Sequence, residues 1–189
     1  MVDTLRVIAE RRAVRSYEQR AVPKYVIKKI INAANQAPSG MNSQPWRFVI
    51  VKDGKFHKKL TETAILNSKK LLKFLEKKYP ERYKTIMKRY DELEDPIYYS
   101  APVIIFVIGT GPYADSSCPL ACQNIMLAAY ALGLGSCWVQ FGSLVTDSKE
   151  IKRRLGLIKG EKIFGPIIVG YTEKFPKPPT KKKPRVKWI

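Results

Sequence analysis

The sequence predicts a mixed α+β domain in which helices pack on a largely buried central sheet. Three observations carry that reading. Val26, Ile27, Ile30, Ile31 and Ala34 recur with the period of an amphipathic helix. Residues 101–109, APVIIFVIG, are apolar almost without interruption, as a strand covered on both faces requires. Residues 46–52 alternate Trp46, Phe48 and Ile50 with Arg47, Val49 and Val51, which marks a second strand, also expected to be covered on both faces.

The elements follow in order. Residues 3–11 place Leu5, Ile8 and Ala9 on one side of a first helix, with Asp3 or Thr4 as cap. After a short basic loop, Pro23 sits where a helix accepts its first residue, and the second helix runs toward Pro38. Residues 38–45, PSGMNSQP, are rich in turn formers and read as an ordered loop feeding the strand at 46–52. Residues 55–90 are helical in pattern and heavy in lysine, with Leu60, Ile65, Leu66, Leu71, Leu72 and Leu75 as the apolar face and Pro80 as a break. A long helix over 119–132 closes at Gly133, and a strand at 136–140, a small helix at 148–155 and a strand at 162–169 complete the set. The proline- and lysine-rich stretch 172–189 cannot build a core and reads as an extended arm, with Trp188 and Ile189 as its anchor.

Composition narrows the class. The chain has 189 residues, of which 45% are hydrophobic, enough for one core, and no linker divides it, so 1–189 is read as a single domain. No apolar run reaches the length of a membrane span, and residues 1–12 are too charged for a signal peptide, so a soluble cytoplasmic protein is expected. Cys118, Cys122 and Cys137 are an odd number in a domain large enough to stand without disulfides, and reduced thiols are the expectation. Cys118 and Cys122 lie one helical turn apart, but the sole histidine, His57, leaves a closed metal site short of ligands. The formal net charge is +19, from 35 Lys and Arg against 16 Asp and Glu, a field that attracts phosphorylated ligands or nucleic acid, or else a solvated basic surface.

Side-chain catalysis finds little support. One histidine on a charged helix gives no Ser-His-Asp or Cys-His arrangement, no Gly-rich phosphate loop opens a helix, and the hard chemistry is therefore assigned to a cofactor. Three basic clusters suit a phosphate: Arg11, Arg12 and Arg15; Lys181 and Lys183 on alternate positions of the arm; and residues 69–89.

Three blocks then carry a resemblance: RRAVRSY at 11–17, ANQAPSGMNSQPWRF at 34–48 and QNIMLAAYALGLGSCW at 123–138. In this order and at this separation they closely resemble the FMN-dependent nitroreductase family, over nearly the whole chain. The resemblance implies a three-layer α-β-α fold with a mostly antiparallel central sheet and an interlocked homodimer with FMN at the interface. It assigns the FMN phosphate to Arg11, Arg12 and Arg15, completed by Lys181 and Lys183 of the embracing arm. It assigns ring or ribityl contacts to Pro38, Ser39, Gly40 and Asn42 from the other subunit, and backbone contacts near the reactive nitrogen to Trp138, Gln140 and Phe141. Many members have serine after the arginine pair; here Ala13 leaves only its backbone to serve. In the variable region, Asn67 and Lys70 are assigned to the flavin ring.

The activity implied is electron transfer from NADH or NADPH to a small oxidised acceptor of nitroaromatic or quinone type, by a ping-pong cycle. Relatives of the fold also dehalogenate, reduce enes or break down flavin, so the reaction does not follow from the fold. A basic nucleic-acid-binding module is the reading from another class, and it leaves the FMN motifs unexplained.

Overall fold

The computed structural model describes residues 3–189; residues 1 and 2 of the single-domain span lie outside them. Helix α1 (Thr4–Glu10) is capped by the Asp3 carboxylate, which accepts a hydrogen bond from Leu5 N at 3.0 Å. Helix α2 (Lys24–Asn35) is entered at Pro23, whose fixed φ suits the start and whose missing N–H costs nothing there. Strand β1 (Trp46–Val51) leads to the long helix α3 (Gly54–Lys78), capped by Asp53. The chain breaks at Tyr79, and Pro80 opens α4 (Pro80–Glu92). Strand β2 (Val103–Gly109), helix α5 (Ala114–Ala131), strand β3 (Gly135–Trp138), helix α6 (Lys149–Leu155), and strands β4 (Lys162–Ile163) and β5 (Ile167–Gly170) follow.

The sheet runs β1-β2-β5-β3, every pair antiparallel, with β4 also on β2. All of β2 is buried, and its side chains divide by the two-residue period of a strand. Val103, Ile105 and Val107 pack with Ile30 of α2 and Ile125 of α5, whereas Ile104, Phe106 and Ile108 pack with Leu60 of α3 and Ile151 of α6. The result is the three-layer α+β arrangement that the resemblance implies.

Several boundaries differ from the sequence reading, each for a physical reason. Helix α5 begins five residues before Pro119, because Asp115 and two serines tolerate its first turn and proline removes one hydrogen bond without ending the helix. The strand read as 162–169 is split. Ile163 opposes Ile108 and Ile167 opposes Ile105, four steps on one strand against three on the other, so the segment between them is a bulge. There Pro166 has no N–H to give the ladder. The strand read as 136–140 ends at Trp138 and turns into a short 3-10 helix over Gln140–Ser143. On α1 only Val7 is buried, while Leu5 and Ile8 are 74% and 52% exposed. On α3, Leu60, Leu72 and Leu75 are buried but Leu66 and Leu71 face outward, and Ile50 of β1 is also exposed. No helix among the described residues is long and apolar enough to cross a membrane.

Candidate functional site

The segment after α1 is laid along the free edge of β3. Ala13 bridges Ser136 in parallel, and Val14 N donates to Ser136 O at 3.0 Å. Gly135 makes this possible, since a Cβ there would lie 2.7 Å from the Val14 side chain. Val14 is buried, Tyr17 Oη donates back to Val14 O at 2.7 Å, and burial pushes the Tyr17 phenol far up. The segment is therefore fixed, and it carries Arg11, Arg12 and Arg15 with it.

The three guanidinium groups differ. Arg12 folds back on the end of α1, its Nη1 donating to Ala9 O at 2.7 Å and to Arg11 O at 2.8 Å. Among the described residues its Nε is buried without a hydrogen-bond partner, as is the hydroxyl of Ser136 on β3. Arg15 is exposed and stands 5.9 Å from the centre of the Tyr99 ring. With Tyr99, Trp138, Gln140 and Phe141 it lines a cleft of about 160 Å³. Burial raises the Cys137 thiol, next to Trp138 on β3, against the pull of the Arg15 and Arg11 charges. Cys118 and Cys122 are buried thiols as well, pushed up to about 11 and about 12, chiefly by burial.

The turn that follows Trp138 is tied down from three sides. Val139 N donates to Pro166 O of the bulge at 3.1 Å, Tyr98 Oη to Gly142 O at 2.8 Å, and Asn67 Nδ2 of α3 to Leu144 O at 2.8 Å. Trp138 Nε1 reaches Gln140 Oε1 at 3.1 Å. Asn67 is thus at this turn, engaged with its backbone, and Lys70, exposed, follows it on the same face of α3. The structure brings together Arg11, Arg12, Ala13, Arg15, Trp138, Gln140, Phe141 and Asn67 on one side of the molecule.

It does not bring the remaining residues to them within one chain. Pro38, Ser39, Gly40 and Asn42 precede β1, at the opposite edge of the sheet, three strand spacings or about 14 Å across from β3. That loop is held in an unusual form. Met41, Asn42 and Gln44 all have positive φ, at 52°, 51° and 42°, Gly40 N donates to Ser117 Oγ at 3.3 Å, and Gln44 N donates to Ser39 Oγ at 3.0 Å. Gly40 lies under the Tyr113 ring, which a Cβ would meet at 2.6 Å. Lys181 and Lys183 lie exposed on the arm, which touches the body through Phe175 against Tyr130 at 5.2 Å, while Trp188 is 92% exposed. Sequence reasoning missed Tyr99 and Ser136. Their role depends on a backbone turn and a buried edge that no residue pattern announces.

The chain belongs to the nitroreductase family, whose model matches residues 8–171. It is 32% identical to a protein of Haliscomenobacter hydrossis named iodotyrosine deiodinase, over 85% of this chain and 75% of that one. A Methanothermobacter thermautotrophicus protein with the provisional name NADH dehydrogenase/NAD(P)H nitroreductase is 30% identical, covering 93% of this chain and 80% of its own. Among solved structures, a nitroreductase with bound FMN from Desulfitobacterium hafniense superposes with a TM-score of 0.82 at 28% identity, over all of both chains.

Proposed function

We propose that this chain is an FMN-dependent oxidoreductase that passes electrons from NAD(P)H to a small oxidised acceptor, nitroaromatic or quinone in type, donor and acceptor using the same open face in turn. The observation that carries the reading is the cleft formed by Arg15, Trp138, Gln140 and Phe141 beside the pinned arginine segment. The donor set fits FMN. A phosphate monoester suits guanidinium forks, and among the described residues Arg12 Nε and the Ser136 hydroxyl of this segment and its strand have no hydrogen-bond partner. A flat ring suits the Trp138–Phe141 wall.

One chain supplies only part of such a site. A cleft of about 160 Å³ falls below the roughly 300–1,000 Å³ of small-molecule pockets. The site is completed, on this reading, by a second copy whose Pro38, Ser39, Gly40 and Asn42 reach the ring across a homodimer interface. Residues 172–189 serve as an arm around the partner, with Lys181 and Lys183 joining Arg11, Arg12 and Arg15 at the phosphate. The body and its arm act as a single domain.

When bound, FMN supplies a two-electron carrier that no side chain here can replace. The chain's own residues do the rest. Arg11, Arg12 and Arg15 would hold the anionic end, Ala13 would offer its backbone, and backbone groups at Trp138, Gln140 and Phe141 would serve the ring, where a fixed N–H stabilises negative charge. Asn67 fixes the turn that carries them, and Lys70, one turn on along α3, would add positive charge to the site.

The test is a visible spectrum of purified protein incubated with FMN and passed through gel filtration. Flavin bands eluting with a dimer, and bleached by NADH or NADPH, are the expected outcome, whereas a colourless protein overturns the site. The similarity to a protein named iodotyrosine deiodinase supports a second reading, reductive removal of a halide at the same site. Turnover of a halotyrosine exceeding that of a nitroaromatic or quinone would select it.

A further inference from the structure

Ahead of β2, two consecutive residues that are not glycine adopt left-handed backbone conformations, Tyr99 at φ 56° and Ser100 at φ 51°. A side chain with a Cβ disfavours this region, and such residues persist only where their surroundings over-determine them. Here one carboxylate does so. Asp95, 8% exposed, accepts hydrogen bonds at Oδ1 from Thr61 Oγ1 (3.0 Å), Tyr98 N (2.9 Å) and Ile97 N (3.3 Å). At Oδ2 it accepts from Ser100 N (2.9 Å) and meets His57 Nε2 at 2.8 Å. Thr61 and His57 belong to α3, so the turn is fastened to that helix as well as closed on itself.

The fastening sends two neighbouring tyrosines to different places. Tyr98 is fully buried with its hydroxyl on Gly142 O, under the turn that follows Trp138. Tyr99 is half-buried and lines the cleft with Arg15, Trp138, Gln140 and Phe141. An unstrained backbone at 99 and 100 would swing that ring out of the cleft. Resting on the flavin reading above, in which the flavin ring lies against the Trp138–Phe141 wall, we propose that Tyr99 is a specificity-determining wall at the rim of this cleft that contacts a flat aromatic acceptor stacked on that ring, and that Asp95 is the positioning residue that keeps it there.

The experiment compares the FMN-loaded native protein with Tyr99→Ala, Tyr99→Phe and Asp95→Asn, using p-benzoquinone and ferricyanide as acceptors. Ferricyanide accepts electrons without stacking, so the ratio of the two KM values reads the wall and not the overall fold. Loss of an aromatic contact should raise the quinone-to-ferricyanide KM ratio in Tyr99→Ala by about tenfold, with kcat moving much less, and Tyr99→Phe should restore it. Asp95→Asn should shift the ratio in the same direction, and the double variant should be no worse than Tyr99→Ala alone. If Asp95→Asn does not fold, Thr61→Val, which removes a single hydrogen bond to the same carboxylate, takes its place. A Tyr99→Ala ratio within twofold of native, in protein that still holds FMN, overturns the role of Tyr99. A native ratio in the Asp95 or Thr61 variant overturns the positioning role. Native protein that fails to retain FMN overturns the site reading itself, and the wall with it.

Discussion

Replacing Gly135 with alanine probes the joint between the opening arginine segment and the sheet. The new Cβ would fall 2.7–2.8 Å from three atoms of Val14, where ordinary contact begins at 3.4 Å. Val14 or β3 must therefore move by about 0.7 Å. Val14 is only 1% exposed, so it has no room to give. Overpacking of this kind costs about 1–3 kcal/mol, which for a chain of this size lowers Tm by roughly 2–12 °C. The same shift displaces Arg15 and weakens the Val14–Ser136 hydrogen bond, so FMN affinity should fall by about tenfold, the lower end of what one charge-assisted bond is worth. Differential scanning fluorimetry and flavin titration measure the two effects on one sample. Adding Val14→Ala should return part of both, since it removes the clashing methyl groups. A Gly135→Ala protein with native Tm and native flavin affinity would refute the argument that this glycine seats the site.

Arg11→Ala and Arg12→Ala should each weaken FMN binding by about 1.5–3 kcal/mol; native affinity in both, by fluorescence titration, removes the phosphate assignment. Burial alone would raise the Asp95 carboxyl, but hydrogen bonds from His57 and from the Tyr98 and Ser100 N–H groups outweigh it and leave it below its ordinary value. A carboxyl depressed in the folded state contributes stability above its unfolded pKa of about 3.9 and loses it as pH falls toward the folded value. The urea midpoint of Asp95→Asn should thus fall less steeply than that of the native protein below about pH 4, and parallel curves would show that Asp95 is not the group being read. If the chain pairs as proposed, deleting 176–189 should weaken dimer and flavin retention together, and a truncated protein that elutes as a yellow dimer refutes the embracing arm.

Much of this architecture was legible because it obeys local periods. The 101–109 run became the fully buried β2, and the Val26–Ile30 period became the face of α2 that meets it. The places that misled are those where tertiary partners override local signals. Pro119 reads as a helix start, yet the helix continues through it because one lost hydrogen bond costs less than the packing of Ala121, Cys122 and Ile125 returns. Phe164, Gly165 and Pro166 read as strand, and only the register against β2 reveals the bulge. The arginine cluster and the Trp138–Phe141 wall were visible as motifs and lie together, whereas Tyr99 entered the site through a left-handed turn that Tyr-Tyr-Ser does not advertise.

The separation of the motifs has its own consequence. The arginine segment lies on the β3 edge and the Pro38–Asn42 loop at the start of β1, the strand at the other edge, with β5 and β2 between the two strands. A single ligand cannot bridge them in one chain, but a twofold axis would set the loop of each copy against the arginine edge of the other and generate two equivalent sites. The exposed Leu5, Ile8, Val186 and Trp188 would then lose water in the same step. On this reading cofactor binding and association are one equilibrium. If FMN binds only the paired state, it should tighten the dimer by mass action, and the apoprotein should dissociate on dilution at concentrations where the yellow protein does not.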